Sequence, residues 1–354
     1  MLNKDESNAI KGLLIFLIIL GHNSIFTKSI PGSFGYLYTF HVQTFFVLPF
    51  LYGAKTLALK DSFKKNFARL YYPFILFFIV LSIVNYFLSN TIADPNKLIN
   101  INKQRGGIFI NTLLTGSYYF IDLFTGFQYL WFLPVMFSMS VLRETIERKS
   151  IIKYVVLLIG FVSYIMFFVF MYSKPYNVKI NQTIMMFSLF AVLQGCGAYF
   201  LGKMCAFFVN HKYSRKTIPL FSIFFVVASV VYIIKVYSNN LSELYAWIYR
   251  FIMPVLFVNF IMLFRSILSK CAVLKQLGKY SFPIYIIHPI LCTIAFIVCN
   301  KYLIINIYWA LFIQIIVIVI SYYLSILWFR IVPLRKITLP RDMKDIFNIK
   351  TSKE

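Results

Sequence analysis

Acidic residues are scarce: 11 Asp and Glu stand against 35 Lys and Arg in 354 residues. Charged residues of both signs make up 13% of the chain, while 60% is hydrophobic and 19% aromatic. A soluble domain of this size cannot hide that much apolar surface, so the composition predicts an all-α, polytopic membrane protein. The formal charge of +24 raises nucleic acid as a partner. Its placement argues otherwise, because the basic residues fall in short loops between apolar runs, as a topology signal does. Cysteine is equally thin. Cys196, Cys205, Cys271, Cys292 and Cys299 show no metal spacing and lie mostly in apolar runs, which assigns them to packing. The chain has no HExxH, no G-x-S-x-G elbow, no P-loop and no dinucleotide fingerprint. No metal is therefore expected. No small-residue cleavage site closes the first apolar run, and Asp5 and Glu6 follow Lys4, so the N-terminus reads as a retained helix rather than a signal peptide.

What is abundant is long apolar runs. At about twenty residues per span, ten helices are expected, over 10–26, 36–58, 71–89, 127–142, 152–172, 183–208, 218–237, 244–264, 280–299 and 305–329. Segment 108–124 is too broken for a span and reads as interfacial or re-entrant. There is no internal repeat and no linker long enough to release a second domain. The reading is one integral membrane domain over 1–354 with a short cytoplasmic tail from about 331. Eight basic residues (Lys28, Lys97, Lys103, Arg105, Lys174, Lys179, Lys235 and Lys301) fall on one side of these spans. With intramembrane Arg250 set aside, the other 26 of the 35 fall on the opposite side, which predicts both termini in the cytoplasm. The expected location is the inner or plasma membrane.

The first run, AIKGLLIFLIILGHNSIF, carries Lys11 and His22. Eleven residues at about 100° each end within about 20° of three whole turns, so the two side chains share one face about 16.5 Å apart. Ionisable groups at bilayer depth are costly and mark functional sites by default. The assumed depths put His22, His41 and Arg250 in one outer-half cavity. They put His288 two turns above the cytoplasmic end of helix nine, and Lys11 and Arg69 at the cytoplasmic boundary. Polar side chains would thus form a ladder through the membrane. Asp122 and Glu243, near the outer face, are the nearest acids.

Each of these residues also has a structural reading. An intramembrane histidine commonly bonds a neighbouring helix, and His288, beside Pro289, can bond a carbonyl freed by the kink. Lys11 can snorkel to the headgroups, and Arg69 can anchor topology. Arg250 is too deep to snorkel and calls for a buried partner or an anionic ligand. The chemistry that suits the set is acyl transfer. An imidazole takes a proton from an attacking hydroxyl, while Lys and Arg at the mouth hold the phosphates of an acyl-CoA.

The segments IKGLLIFLIILGHN, FHVQTFFVLPFLYG, FKKNFARLYYP, YLWFLP and GKYSFPIYIIHPI occur in the order found in the acyltransferase-3 family of integral membrane O-acyltransferases. The chain resembles that family over essentially its whole length, especially the fucose O-acetylase-like branch. The resemblance implies transfer of an acyl group, usually acetyl from acetyl-CoA, to a sugar hydroxyl of a cell-envelope or capsular polysaccharide or its precursor. It implies His22 as the catalytic histidine and Lys11 in the place usually held by Arg. Arg69 would be the basic residue of the cytoplasmic loop, with His41 and His288 the motif histidines of helices two and nine. Lys11 lacks the planar fork of Arg, Asn8 stands where an acid is frequent, and VLPFLYG lacks the family's Ser before its Gly. The implied partners are acyl-CoA, a glycan or lipid-linked sugar acceptor, and the bilayer.

Two other classes compete. A polar ladder can line the path of a transporter or flippase for a glycan or lipid precursor, although paired halves with interrupted helices are missing. A scaffold in a polysaccharide-assembly complex would use the histidines structurally. Release of CoA thiol that depends on an acceptor separates the enzyme from both.

Overall fold

The computed structural model describes residues 2–52, 56–92, 128–147, 149–166, 189–210, 214–238, 241–302 and 306–347, with single positions and one short stretch between 110 and 125. Among these residues the protein is helical throughout and has no strand. Segment 108–124 with Asp122 falls largely outside the described residues, as do Lys97, Lys103, Arg105, Lys174 and Lys179. So do the end of the fifth expected span and the start of the sixth. Six described helices are long and apolar enough to cross a membrane: Leu59–Val84, Phe190–Asn210, Ser214–Tyr237, Glu243–Leu268, Ser281–Cys299 and Ile307–Arg330. A shorter apolar helix covers Ile151–Tyr164.

The chain separates into two compact units. The first holds residues 1–53, 168–173 and 201–331. It opens with α1 (Lys4–His22), started by a capping box in which the Asn3 side chain accepts the Glu6 N–H and Glu6 accepts the Asn3 N–H. The helix ends at His22 rather than at 26, because Asn23 leaves helical geometry and caps the next helix, α2 (Ser24–Ser29). The second expected span, 36–58, is not one helix. It is broken into α3 (Ser33–Leu37), α4 (His41–Val47) and a 3₁₀ turn, Leu48–Leu51. Gly32, in the left-handed region at φ 77°, opens α3, and Pro49, which has no N–H to donate, sits in the 3₁₀ turn.

The C-terminal part of α9 (Phe190–Asn210) follows later in this unit, and then a helical hairpin of α10 (Ser214–Tyr237) and α11 (Glu243–Leu268). Then come the short α12 (Ala272–Lys279), α13 (Ser281–Tyr302) and α14 (Ile307–Arg330). The α1–α12 contact is unusually close. A Cβ on Gly12 would collide with the Leu274 carbonyl oxygen, and one on Gly278 with the carbonyl oxygen of Asn8. The pairings 8 with 278 and 12 with 274 run in opposite senses, so the two helices are antiparallel and meet backbone to backbone. Small residues make such an approach possible. Asp5–Lys275 and Glu6–Arg265 pairs, at 3.5 and 3.4 Å, border it; partly exposed pairs of this kind add little stability.

The second unit holds residues 54–167, 174–200 and 332–354. Its helices include α5 (Leu59–Asn66), which runs through a π turn, Phe67–Tyr71, into α6 (Tyr72–Ile92). They also include α7 (Phe132–Thr145), α8 (Ser150–Tyr164), the start of α9, and two short C-terminal helices, α15 (Val332–Thr338) and α16 (Met343–Phe347). Gly195 lets α9 press on Ser138 of α7, and Gly160 lets α8 press on Cys196 of α9.

Candidate active site

The first unit brings His22, His41 and His288 together around Tyr38. The ring centroids of His22 and His288 are 5.2 Å apart. The Tyr38 hydroxyl lies 3.5 Å from His22 Nε2, and the Tyr38 ring meets His41 edge-on at 4.7 Å. His288 therefore does not sit apart on a lower rung, which corrects the expected ladder. The depth estimate treated each helix as straight and normal to the membrane. In the structure, α12 is clamped to α1 by the two glycine contacts just before α13 begins, and α13 packs along α1.

Local sequence fixes each imidazole. His22 is the last residue of α1, and Asn23 holds it there with both ends of its amide. Its Oδ1 accepts the N–H groups of Ile25 and Phe26 at 3.2 Å, capping α2. Its Nδ2 donates to the Ala310 carbonyl at 3.0 Å and to Gln314 Oε1 at 3.4 Å on α14. Gln314 in turn donates to the Phe16 carbonyl at 3.3 Å, which ties α14 to the middle of α1. His41 opens α4 and donates from Nδ1 to the Leu37 carbonyl. His288 donates from Nδ1 to the Ile284 carbonyl at 3.1 Å, one turn before Pro289. In a neutral imidazole this leaves Nε2 as the acceptor. Both rings are fully buried, whereas His22 is partly exposed. Gly21 keeps the space beside them open, since a Cβ there would touch His41 Nε2 and the Tyr38 ring at 3.4 Å.

Lys11 is on the same unbroken helix as His22, about 16.5 Å away by helical rise. Arg250, on α11, is close enough to the Tyr232 phenol to act on it electrostatically. Arg69 belongs to the second unit, exposed on the π turn; single π turns of this kind recur at functional sites. The helix leading into that turn is fixed by a buried carboxylate. Glu144 accepts from Lys65 at 2.6 Å, Ser62 at 2.8 Å and Asn66 at 2.9 Å. Burial alone would raise its pKa, but these donors, Lys65 foremost, hold it below the ordinary 4.5. Among the described residues no group of three or more His, Cys, Asp or Glu has the arrangement of a metal site.

The arrangement sets one partly exposed imidazole beside a phenol and two buried imidazoles, groups whose chemistry a general base can use. A family model described as an acyltransferase domain, that of the acyltransferase-3 family, matches residues 5–327. The chain belongs to this family. No curated protein and no solved structure matches it. The protein is thus a membrane acyltransferase with several apolar membrane helices.

Sequence reasoning passed over three residues that shape the centre of this acyltransferase and a fourth, in the second unit, that fixes the helix before Arg69. Tyr38 stands three residues before His41 in an aromatic-rich stretch that offers no contrast. Asn23 follows the histidine directly, and a cap residue at the end of an apolar run is a legible stop signal. Gln314 is an amide inside a continuous apolar span, and such residues call for a partner. Glu144 is one of two acids, with Glu147, beside a basic loop, and nothing in the sequence sets it apart.

Proposed function

We propose that this acyltransferase is an O-acetyltransferase. It moves acetyl from acetyl-CoA to a sugar hydroxyl of a cell-envelope or capsular polysaccharide or its precursor, as in the fucose O-acetylase-like branch. It works in the inner or plasma membrane, with about ten spans and both termini cytoplasmic, as the 26-to-8 asymmetry of basic residues favours. The observation that carries the reading is the convergence of Tyr38, His41 and His288 on His22, the one of the three histidines left partly accessible.

His22 takes the proton of the attacking sugar hydroxyl while the oxygen bonds to the thioester carbonyl carbon. The tetrahedral intermediate collapses, the carbon–sulfur bond breaks, and the thiolate of CoA leaves and takes up the proton from His22. Tyr38 orients the ring through its hydroxyl, and the buried rings of His41 and His288 limit its movement. Lys11 binds the phosphates of the donor. It does so as a point charge rather than a fork.

The test is CoA thiol release by purified protein, measured with and without a glycan acceptor. Release should depend on acceptor and fall by about 10²–10⁴-fold in His22→Ala at matched membrane abundance. A His22→Ala protein of normal abundance and unchanged rate would refute the assignment. Release without any acceptor would leave the acetyl group going to water and refute the substrate class.

A further inference from the structure

Phe34, on α3, is 48% exposed and takes no part in the acyl-transfer chemistry described above. Most of the large apolar side chains exposed in the first unit lie along its long apolar helices, where lipid covers them. Phe34 does not. It stands in a five-residue helix directly after Pro31 and Gly32, which are exposed and outside any helix. Irregular backbone of that kind does not face hydrocarbon, so water reaches Phe34.

The helix that carries it is firmly seated on α10. Gly32 lies against Val236, and Gly35 lies under the Tyr232 hydroxyl, which a Cβ would meet at 2.9 Å. Tyr36 donates to Ser229 Oγ at 2.7 Å and packs on Phe40 and Tyr232 at 5.2 and 5.4 Å. Phe34 is left pointing outward, with one face occupied. Its ring stacks on Tyr38 at 4.2 Å with a tilt of 33°, which covers that face and leaves the other open. Tyr38 in turn reaches His22 Nε2 with its hydroxyl at 3.5 Å. Laid end to end, the 4.2 Å from Phe34 to Tyr38 and the 6.2 Å from Tyr38 to His22 put the Phe34 and His22 rings at most 10.4 Å apart.

We infer that the open face of Phe34 is a carbohydrate subsite, which stacks one pyranose ring of a glycan acceptor beside the sugar that receives the acyl group. For the identity of the acceptor the inference rests on the acetyl-transfer reading. A pyranose presents a flat row of C–H bonds made electropositive by the neighbouring oxygens, and the face of a phenyl ring is the electronegative surface such a row meets. Its hydroxyls stay at the rim, in water or on Ser33. That side chain donates to the Ile30 carbonyl at 2.8 Å and keeps lone pairs for a sugar O–H. The open face looks away from Tyr38, so the ring stacked there does not also present its hydroxyl to His22. The next sugar in the same chain does, across the 10.4 Å at most between the two rings. The acceptor thus comes from the α3 end of α1 and the donor from the Lys11 end, so the two do not compete for one surface.

The test uses the full chain in micelles of a detergent without a sugar headgroup. The probes are methyl glucoside with methyl cellobioside, methyl N-acetylglucosaminide with diacetylchitobiose, methyl galactoside with methyl lactoside, and sorbitol as an acyclic polyol. In saturation-transfer NMR at least one disaccharide should be saturated on the C–H protons of a single ring face. It should bind more tightly than its monosaccharide and far more tightly than sorbitol. Phe34→Leu, which keeps apolarity but not the flat face, should weaken this binding about two- to tenfold. Phe34→Trp should keep or strengthen it. In the thiol-release assay the same loss should appear in the KM for the glycan and not in the KM for acetyl-CoA. Equal glycan binding by wild type and Phe34→Leu would overturn the proposal, and so would a wild type that binds no probe. A disaccharide held no better than its monosaccharide would overturn the placement beside the reacting sugar. If Phe34→Leu lowers abundance or melting temperature but not glycan binding, Phe34 is an interfacial anchor and the proposal falls. Glycan held at Phe34 by a wild type that releases no thiol would uphold the subsite and overturn the acetyl-transfer reading instead.

Discussion

Replacing Asn23 tests whether the end of α1 is held in place for chemistry. In Asn23→Ala, α2 loses the cap that serves the N–H groups of Ile25 and Phe26. Such a loss costs about 0.5–2 kcal/mol. The buried Gln314 Oε1 also loses its donor, a further penalty of about 1–3 kcal/mol. With overlap between the two, a loss of about 2–3 kcal/mol is expected. Much of it would appear as freedom of the His22 backbone, because Asn23 is the bond between that residue and α14. Asn23→Asp keeps the caps but turns a carboxylate oxygen toward the Ala310 carbonyl and Gln314 Oε1, two acceptors, so it should be at least as harmful. Asn23→Ser keeps a cap and should fall between wild type and Ala. The assay is thiol release at saturating and limiting acetyl-CoA, at matched abundance and well below the melting temperature. The turnover number should fall tenfold or more, about 1.4 kcal/mol of barrier. The KM for acetyl-CoA should change little, because Lys11 is untouched. Wild-type turnover in Asn23→Ala would show that the bond to α14 does not set the position of His22.

Two further outcomes follow from packing and charge. Glu144, with its folded pKa held below 4.5, contributes stability that is present above the ordinary carboxylate pKa and is lost as pH falls through the folded value. Wild type should therefore lose thermal stability on the acid side of about pH 4.5, and Glu144→Gln should flatten that loss in a melting series against pH. Gly278→Ala forces a methyl into the Asn8 carbonyl and should cost about 1–3 kcal/mol. A lower melting temperature in detergent checks this, and an unshifted melt would mean that α12 can slide on α1.

The sequence was legible where hydropathy is continuous. The runs at 218–237, 244–264, 280–299 and 305–329, and the described part of the run at 183–208, correspond to helices of the structure. It misled at 36–58, where averaged hydropathy does not register that Gly32 turns the chain and Pro49 tightens it. There the cost is functional, because the break at 38–40 is what turns Tyr38 and His41 toward His22. The histidines were legible as candidates, since polar groups inside apolar runs stand out. The meeting of His22 with His41 was expected, whereas the approach of His288 to His22 was not. Depth counted from span ends assigns His288 to the other half of the membrane from His22, and only the glycine contacts of α12 reveal how α13 is brought alongside α1. Arg69 was legible by type, whereas the carboxylate that fixes its helix is distant in sequence, at Glu144.

The spacing of Lys11 and His22 allows a test that changes no side chain. Both lie on α1, which is helical without interruption from Lys4 to His22. One alanine inserted after Phe16 keeps residues up to 16 in register with α12 through Gly12 and rotates everything beyond by about 100°. Ile18 and Ile19, both buried, would turn outward, where the bilayer tolerates them as it does the outward isoleucines of α10 and α14. Insertion should therefore survive while Lys11 and His22 leave their common face, and acetyl transfer should collapse with every residue present. Four inserted residues turn the face by about 400° and nearly restore it, but they lengthen the separation by about 6 Å. That variant should recover partly at best, because a donor gripped at Lys11 no longer presents its thioester at His22. Lys11→Arg should retain much of the activity by supplying a longer cation at the same place. The measurement is acetyl transfer by all three variants at matched membrane abundance. Wild-type activity in the single insertion would show that the two side chains need not share a face, and Lys11 would then be a headgroup anchor rather than part of the donor site.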